Sequence, residues 1–180
     1  MTAVLVAAGS NVAPIENLRR ALDVLEPHFA PLQVSRAYAN PAVGFEGDDF
    51  VNLVVRFDTE LPVHEVLQRL HDAERACGRP RDAPRWAPRS MDLDILLFGD
   101  DVRKEPGLTL PRPDLLRRPY MLGPAAEVAA DTLHPTERRT LGELWREMQQ
   151  RAPAHELRPV DLGWVPNLSR RRERSPRRGG

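Results

Sequence analysis

Apolar positions along this chain recur with two periods. Ala3 to Ala8 (AVLVAA) is a continuous apolar run closed by the small polar turn Gly9-Ser10-Asn11, the signature of a short buried strand. Leu18, Ala21, Leu22 and Leu25 then repeat at i, i+3, i+4 and i+7 behind Pro14, a first-turn proline, and predict a helix that stops at Pro27. Residues 32–38 alternate as a half-buried strand and Phe50 to Phe57 form a second, with a loop over 40–49 that is apolar at Val43 and Phe45. Pro62 opens a second helix along Val63, Val66, Leu67, Leu70 and Ala73, ending near Gly78 with Arg75 in its last turn. Met91 to Phe98 reads as a strand, Leu122 to Ala129 and Leu141 to Met148 as helices, and 106–119 as a proline-rich connection. Strands and helices are interspersed without a regular βαβ repeat. The expected fold is therefore α+β: a ferredoxin-like antiparallel β-sheet packed with helices as an α/β sandwich, in a single domain.

Length and composition narrow the class. At 180 residues, 41% apolar and 29% charged, the chain is one globular domain's worth. No apolar run approaches the roughly 18 residues of a spanning helix, and the run at 3–8 lacks a basic leader. A cytoplasmic protein without a membrane partner is expected. The single cysteine, Cys77, excludes an intramolecular disulfide and a multi-cysteine zinc site. Net charge is zero, but residues 168–180 hold six arginines against one glutamate, so a basic tail offsets an acidic body. The expected organisation is a catalytic domain over 1–160 and a disordered arginine-rich tail over 161–180, functionally minor. Lys104 is the only lysine and there is no Walker-type loop, so phosphate handling would fall to arginine forks.

Chemistry concentrates in residues 74–94. Arg79, Arg81, Arg85 and Arg89 lie within eleven positions, separated by Pro80, Pro84 and Pro88, which place them on a stiff extended loop. Asp92 and Asp94 follow at the two-residue spacing that puts both carboxylates on one face of a strand, with Leu93 and Ile95 turned into a core. Two convergent carboxylates suit Mg²⁺, which takes few protein oxygens and keeps water and substrate phosphates. Alone, the aspartates read as a wet strand face and the arginines as a solvated or nucleic-acid-binding loop. Abutting, with Trp86 among the arginines to stack on a planar ring, they point to a nucleotide phosphate site.

The run Gly78-Arg79-x-Arg81-x-x-x-Arg85-Trp86-x-Pro88-Arg89-Ser90-x-Asp92-Leu93-Asp94-Ile95 closely resembles the signature of the 6-hydroxymethyl-7,8-dihydropterin pyrophosphokinase family. Gly9-Ser10-Asn11, Tyr38-x-x-Pro41-x-x-Gly44, Phe50-x-Asn52, Glu74, Pro111, Arg118-Pro119-Tyr120 and His134-Pro135 look like that family in the right order, over about residues 3–150. The resemblance implies transfer of the β,γ-pyrophosphoryl group of ATP to the hydroxymethyl group of a reduced pterin in folate biosynthesis, releasing AMP, with two Mg²⁺ ions. It implies that Asp92 and Asp94 bind metal and act in catalysis with Arg79 and Arg89. Glu74, Arg81, Arg85, Trp86, Ile95, Arg112 and Arg118 would line the ATP channel. Pro41, Val43, Gly44, Phe50, Asn52 and Tyr120 would hold the pterin, a flat ring between aromatic faces with an amide-like edge for Asn52.

Four positions depart from the commoner pattern. Arg112 stands where the family often has histidine, and cannot act as an acid or base near neutrality. Asp82, Ala87 and Asn40 replace what is often a basic or neutral residue, a glycine and a threonine. No dedicated base is expected, so positioning and electrostatics would carry the acceleration, with the arginine loop and residues 42–49 as lids. A monomer acting on small molecules, with no nucleic-acid partner, is expected. Two readings from other classes use some of the same residues: a nucleic-acid-binding module built on the arginines, and a metal-dependent glycosyl or nucleotidyl transferase built on the aspartates.

Overall fold

The computed structural model describes residues 1–41, 48–78, 91–151 and 157–166. Its elements in chain order are β1 (Thr2–Ser10), α1 (Pro14–Phe29), β2 (Gln33–Val34), β3 (Ala37–Asn40), β4 (Phe50–Thr59), α2 (Val63–Ala76), β5 (Asp92–Phe98), β6 (Arg103–Glu105), β7 (Leu108–Leu110), a 3₁₀ turn (Pro113–Leu116), α3 (Pro119–Ala129), α4 (Leu141–Arg151) and β8 (Arg158–Val160). The main sheet runs β5-β1-β4-β3-β8, with β2 also on β4 and every ladder antiparallel. With α1 after β1 and α2 after β4, the core is a split β-α-β-β-α-β arrangement, and the expected α+β class with an antiparallel sheet holds.

Alternation along the central strands sorts side chains to two faces. Val4, Val6, Ala8, Leu53, Val55, Leu93 and Ile95 face α1 and α2, where Leu18, Leu22, Leu25, Val66 and Leu70 complete the larger core. Leu5, Ala7, Val54 and Leu97 face α3 and α4, packing on Leu115, Leu122, Ala125 and Leu141. The apolar cover on this second face ends at Ala7 and Val54. The next row beyond them is Asn52, Gly9 and Asp92, so the sheet's polar end is left for a site.

Several boundaries moved for local reasons. α1 continues past Pro27 to Phe29, because a proline in the last turn forfeits little and Ala30 still donates to the Glu26 carbonyl at 3.0 Å. The strand expected over 32–38 breaks at Ser35: its N–H donates to the Val54 carbonyl, and its Oγ accepts from the Val54 N–H, both at 2.9 Å. The hydroxyl thus supplies an acceptor that the interrupted ladder lacks. Part of the proline-rich connection forms the β6–β7 hairpin, and α3 begins three residues early, at Pro119, as a first-turn proline allows. β8 adds a strand to the β3 edge, and Asp161 to Pro166, assigned to the tail from sequence, lies against α1. There Arg19 donates to the Leu162 carbonyl at 2.6 Å and Trp164 Nε1 donates to Asp23 at 3.0 Å.

Candidate active site

The site is assembled by register. Asn52 on β4 and Asp92 on β5 both pair with Gly9 of β1, and Tyr38 on β3 pairs with Asn52, giving one row across four strands. Residues opposite one another share a face, so Asn52, Gly9 and Asp92 lie side by side on the α3 side of the sheet. Gly9 is required here. A β carbon at that position would stand 2.5 Å from Asn52 Oδ1, because the amide lies across the glycine. Asn52 Nδ2 donates to Asn40 Oδ1, and Asn40 Nδ2 donates to the Pro41 carbonyl at 3.3 Å, so the Asn52 amide is oriented by its neighbour. Phe50 is half-buried two residues along the same strand face, and Tyr120 is half-buried in the first turn of α3, with its phenol pushed up by burial.

Asp94 occupies the adjacent row, opposite Ala7, and hydrogen-bonds Asp92. Burial raises its carboxyl to about 7, the Asp92 charge and the hydrogen bond to Asp92 add to the rise, and Arg112 opposes it. Arg112 Nη1 lies 3.1 Å from Asp94 Oδ1, and its Nε lies 3.7 Å from Asp114 Oδ2. Asp114 in turn stands 3.9 Å from Arg118 Nε, so one carboxylate sits between two guanidinium groups. The backbone holds Arg112 in place, its N–H donating to the Leu96 carbonyl at 2.9 Å between Pro111 and Pro113. Two hard carboxylates on adjacent same-face positions suit Mg²⁺, which fills its remaining sites with water and phosphate oxygens. Among the described residues no group of three or more histidine, cysteine, aspartate or glutamate side chains converges.

Not every expected residue reaches this face. The Ile95 side chain is 3% exposed within the α1/α2 core, which leaves only its backbone to meet a ligand. Glu74 is buried on α2, and its Oε1 accepts the Leu93 N–H at 2.9 Å, satisfying a donor on the outer edge of β5. His134 is 2% exposed, and its Nδ1 accepts the Glu137 N–H at 3.2 Å, which closes a turn. Pro41 is exposed at the end of β3. Val43, Gly44, Arg79, Arg81, Arg85, Trp86 and Arg89, with the arginine loop and residues 42–47 of the two expected lids, lie outside the described residues. Sequence reasoning missed Asp114 as a bridge and left Asn40 without a role. An aspartate between two arginines was the available signal for the first; the second needed the strand register.

A family model for 7,8-dihydro-6-hydroxymethylpterin-pyrophosphokinase (HPPK) matches residues 5–130. Among curated relatives, the 2-amino-4-hydroxy-6-hydroxymethyldihydropteridine pyrophosphokinase of Pseudomonas aeruginosa is 40% identical over 139 residues, covering 75% of this chain and 85% of that one. The protein of the same name from Aquifex aeolicus is 33% identical over 145 residues, covering 79% and 90%. Among solved structures, wild-type Plasmodium falciparum HPPK-DHPS with pteroate superposes with a TM-score of 0.67 at 13% identity, over 86% of this chain and 44% of that one. The chain spans under half of that longer protein, and at this identity the likeness speaks for the fold alone. No described helix is long and apolar enough to cross a membrane. Fold, motif order and relatedness over most of the length agree, and the chain belongs to the 7,8-dihydro-6-hydroxymethylpterin-pyrophosphokinase family.

Proposed function

We propose that this chain transfers the pyrophosphoryl group of ATP to 6-hydroxymethyl-7,8-dihydropterin, in folate biosynthesis, at the polar end of the sheet face described above. The observation that carries this reading is the row Asn52–Gly9–Asp92. It sets an oriented amide beside a carboxylate pair on one surface, with no side chain between them. Asn52 reads the amide-like edge of the pterin, and Phe50 and Tyr120 bound the ring. Asp92 and Asp94 hold two Mg²⁺ ions, which neutralise the triphosphate when bound. Arg112 and Arg118 orient phosphate oxygens beside them, as do Arg79, Arg81, Arg85 and Arg89 in the loop, with Trp86 against the adenine. The hydroxymethyl oxygen bonds to the β-phosphorus, its proton passing to solvent, and the bond from that phosphorus to the α-phosphate oxygen breaks, so AMP leaves. Arg112 cannot accept the hydroxyl proton; its task, like that of the arginine loop, is to place charge. The catalytic unit is a cytoplasmic monomer with its basic tail dispensable, a reading supported by the one buried free cysteine and by Glu74 closing the β5 edge from within the chain.

The test is AMP formation by the purified chain from ATP and Mg²⁺, with and without the pterin and with metal omitted. AMP that requires pterin and metal together supports the reading. A folded protein that binds ATP yet yields none would overturn it.

A further inference from the structure

Arg112 is paired with one of the two carboxylates that a metal would need. We infer that Arg112 is the resident counter-ion of this site: its guanidinium holds Asp94 against divalent cations until the phosphates of the nucleotide draw it away. The inference rests on the reading of Asp92 and Asp94 as the metal carboxylates, and adds to it an order of events that the departure from histidine makes possible.

Four observations support it. First, Arg112 Nη1 lies 3.1 Å from Asp94 Oδ1, within the distance of a direct ion pair. A magnesium ion bonds carboxylate oxygen at about 2.1 Å. The two cations would then stand within about 5 Å of each other on one oxygen, so each opposes the other. Second, the residue cannot leave the neighbourhood. Its N–H is bonded to the Leu96 carbonyl and prolines fix both flanks, so only the side chain can move. Third, the guanidinium is incompletely engaged. Its Nε is buried without a hydrogen-bond partner among the described residues, and Asp114 is 3.7 Å away, beyond bonding distance. An anion offering two oxygens would satisfy donors that the carboxylates leave idle, and phosphate does this with a planar fork. Fourth, Arg112 lines a cavity of about 450 Å³ between the β6–β7 hairpin and the turn at His134, which leaves the side chain room to turn.

Metal and nucleotide binding are thereby coupled through one side chain. The cation binds weakly to the free protein and more tightly once phosphates hold the guanidinium. By reciprocity, metal raises nucleotide affinity by the same factor. A histidine at this position, largely neutral at pH 7 to 8, would leave Asp94 open and the coupling weaker.

The test uses Mn²⁺ alone as the probe, bound to the full chain at pH 8 without nucleotide and followed by electron paramagnetic resonance, with thermal melting to establish that each variant is folded. Arg112→Gln is expected to bind Mn²⁺ about fivefold or more tightly than the parent, the equivalent of one partly exposed ion pair. Arg112→Lys keeps the charge and stays near the parent. Arg118→Gln removes the same charge from a residue that reaches Asp114 but not Asp94, and should change affinity by less than about twofold. Should Arg112→Gln not fold, Arg112→His at pH 8 makes the same comparison. Equal affinity in the parent and Arg112→Gln, or an equal gain in Arg118→Gln, overturns the counter-ion role. Undiminished Mn²⁺ binding by Asp94→Asn is a different failure, and removes the metal reading beneath it.

Discussion

Gly9→Ala tests whether the cross-strand row is the pterin site. The added β carbon would meet Asn52 Oδ1 at 2.5 Å, where ordinary contact begins at 3.4 Å, so the amide must retreat by about 0.9 Å. The backbone is not the obstacle. Gly9 sits within a β-strand, where alanine is tolerated and gains up to about 1 kcal/mol from the stiffer unfolded chain. That gain offsets the loss of the Asn52–Asn40 hydrogen bond, and denaturation midpoints should change little. Recognition should suffer far more. An amide displaced by nearly an ångström forfeits its bonds to the ring edge, worth about 1–3 kcal/mol, or about 5- to 150-fold in kcat/KM for the pterin. The KM for ATP should remain within about twofold, because the carboxylates do not move. Steady-state AMP formation with each substrate varied in turn, beside urea unfolding, measures all of these. Asn52→Ala closes the cycle. With the amide gone, the next neighbour of the added carbon is the Val51 carbonyl at 3.9 Å, so Gly9→Ala should cost nothing further in that background. Normal pterin kcat/KM in Gly9→Ala, or penalties that simply add in the double variant, would refute the placement.

Three further outcomes follow from the same structure. Ser35→Ala removes the acceptor for the buried Val54 N–H, and should lower stability by about 1–3 kcal/mol in urea unfolding while the KM values stay put. Asp94, held up to about 7 against an ordinary 3.8, binds its proton more tightly folded than unfolded; its stabilisation is complete below about pH 4 and is lost as pH rises through 7. Melting temperatures in EDTA should therefore fall more steeply toward pH 8 for the parent than for Asp94→Asn. Removing residues 168–180 should leave AMP formation and stability unchanged, whereas ending the chain at Val160 strips the Arg19 and Asp23 partners from α1 and should cost about 1–2 kcal/mol by urea unfolding.

Local spacing made the carboxylates legible. Asp92 and Asp94 share a face because side chains alternate along any strand, and Leu18 to Leu25 mark a helix because its period is local too. Register is a property of two distant segments, and neither segment states it. Nothing about Gly9 in the sequence says that it lies between Asn52 and Asp92, 43 and 83 positions away. β6, β7 and β8 span three residues each, too short for a period to declare itself, and they form because a neighbouring edge accepts them. Glu74 and Ile95, which family likeness puts in the nucleotide wall, also carry packing roles that local spacing does not announce: Glu74 accepts a strand-edge N–H and the Ile95 side chain belongs to the core.

One irregularity links the fold to the charge arrangement at Asp94. Pairing between β1 and β5 slips between Leu5 and Val6, where Leu97 and Ile95 are their partners and Leu96 is left over as a bulge. In the sequence the slip shows only as the end of alternation in DLDILLF, where Ile95, Leu96 and Leu97 are all apolar. A regular ladder would turn Leu97 away from the Leu5 face; the bulge returns it, so the apolar packing under α3 continues beside two outward carboxylates. The Leu96 carbonyl, freed from the ladder, receives the Arg112 N–H at 2.9 Å. The extra residue thus brings the segment after β7 against the strand that carries Asp94, within 3.1 Å of its carboxylate. Whatever side chain stands at 112 is delivered to that carboxylate by the backbone, so a change of residue there alters the charge of the site without altering the fold.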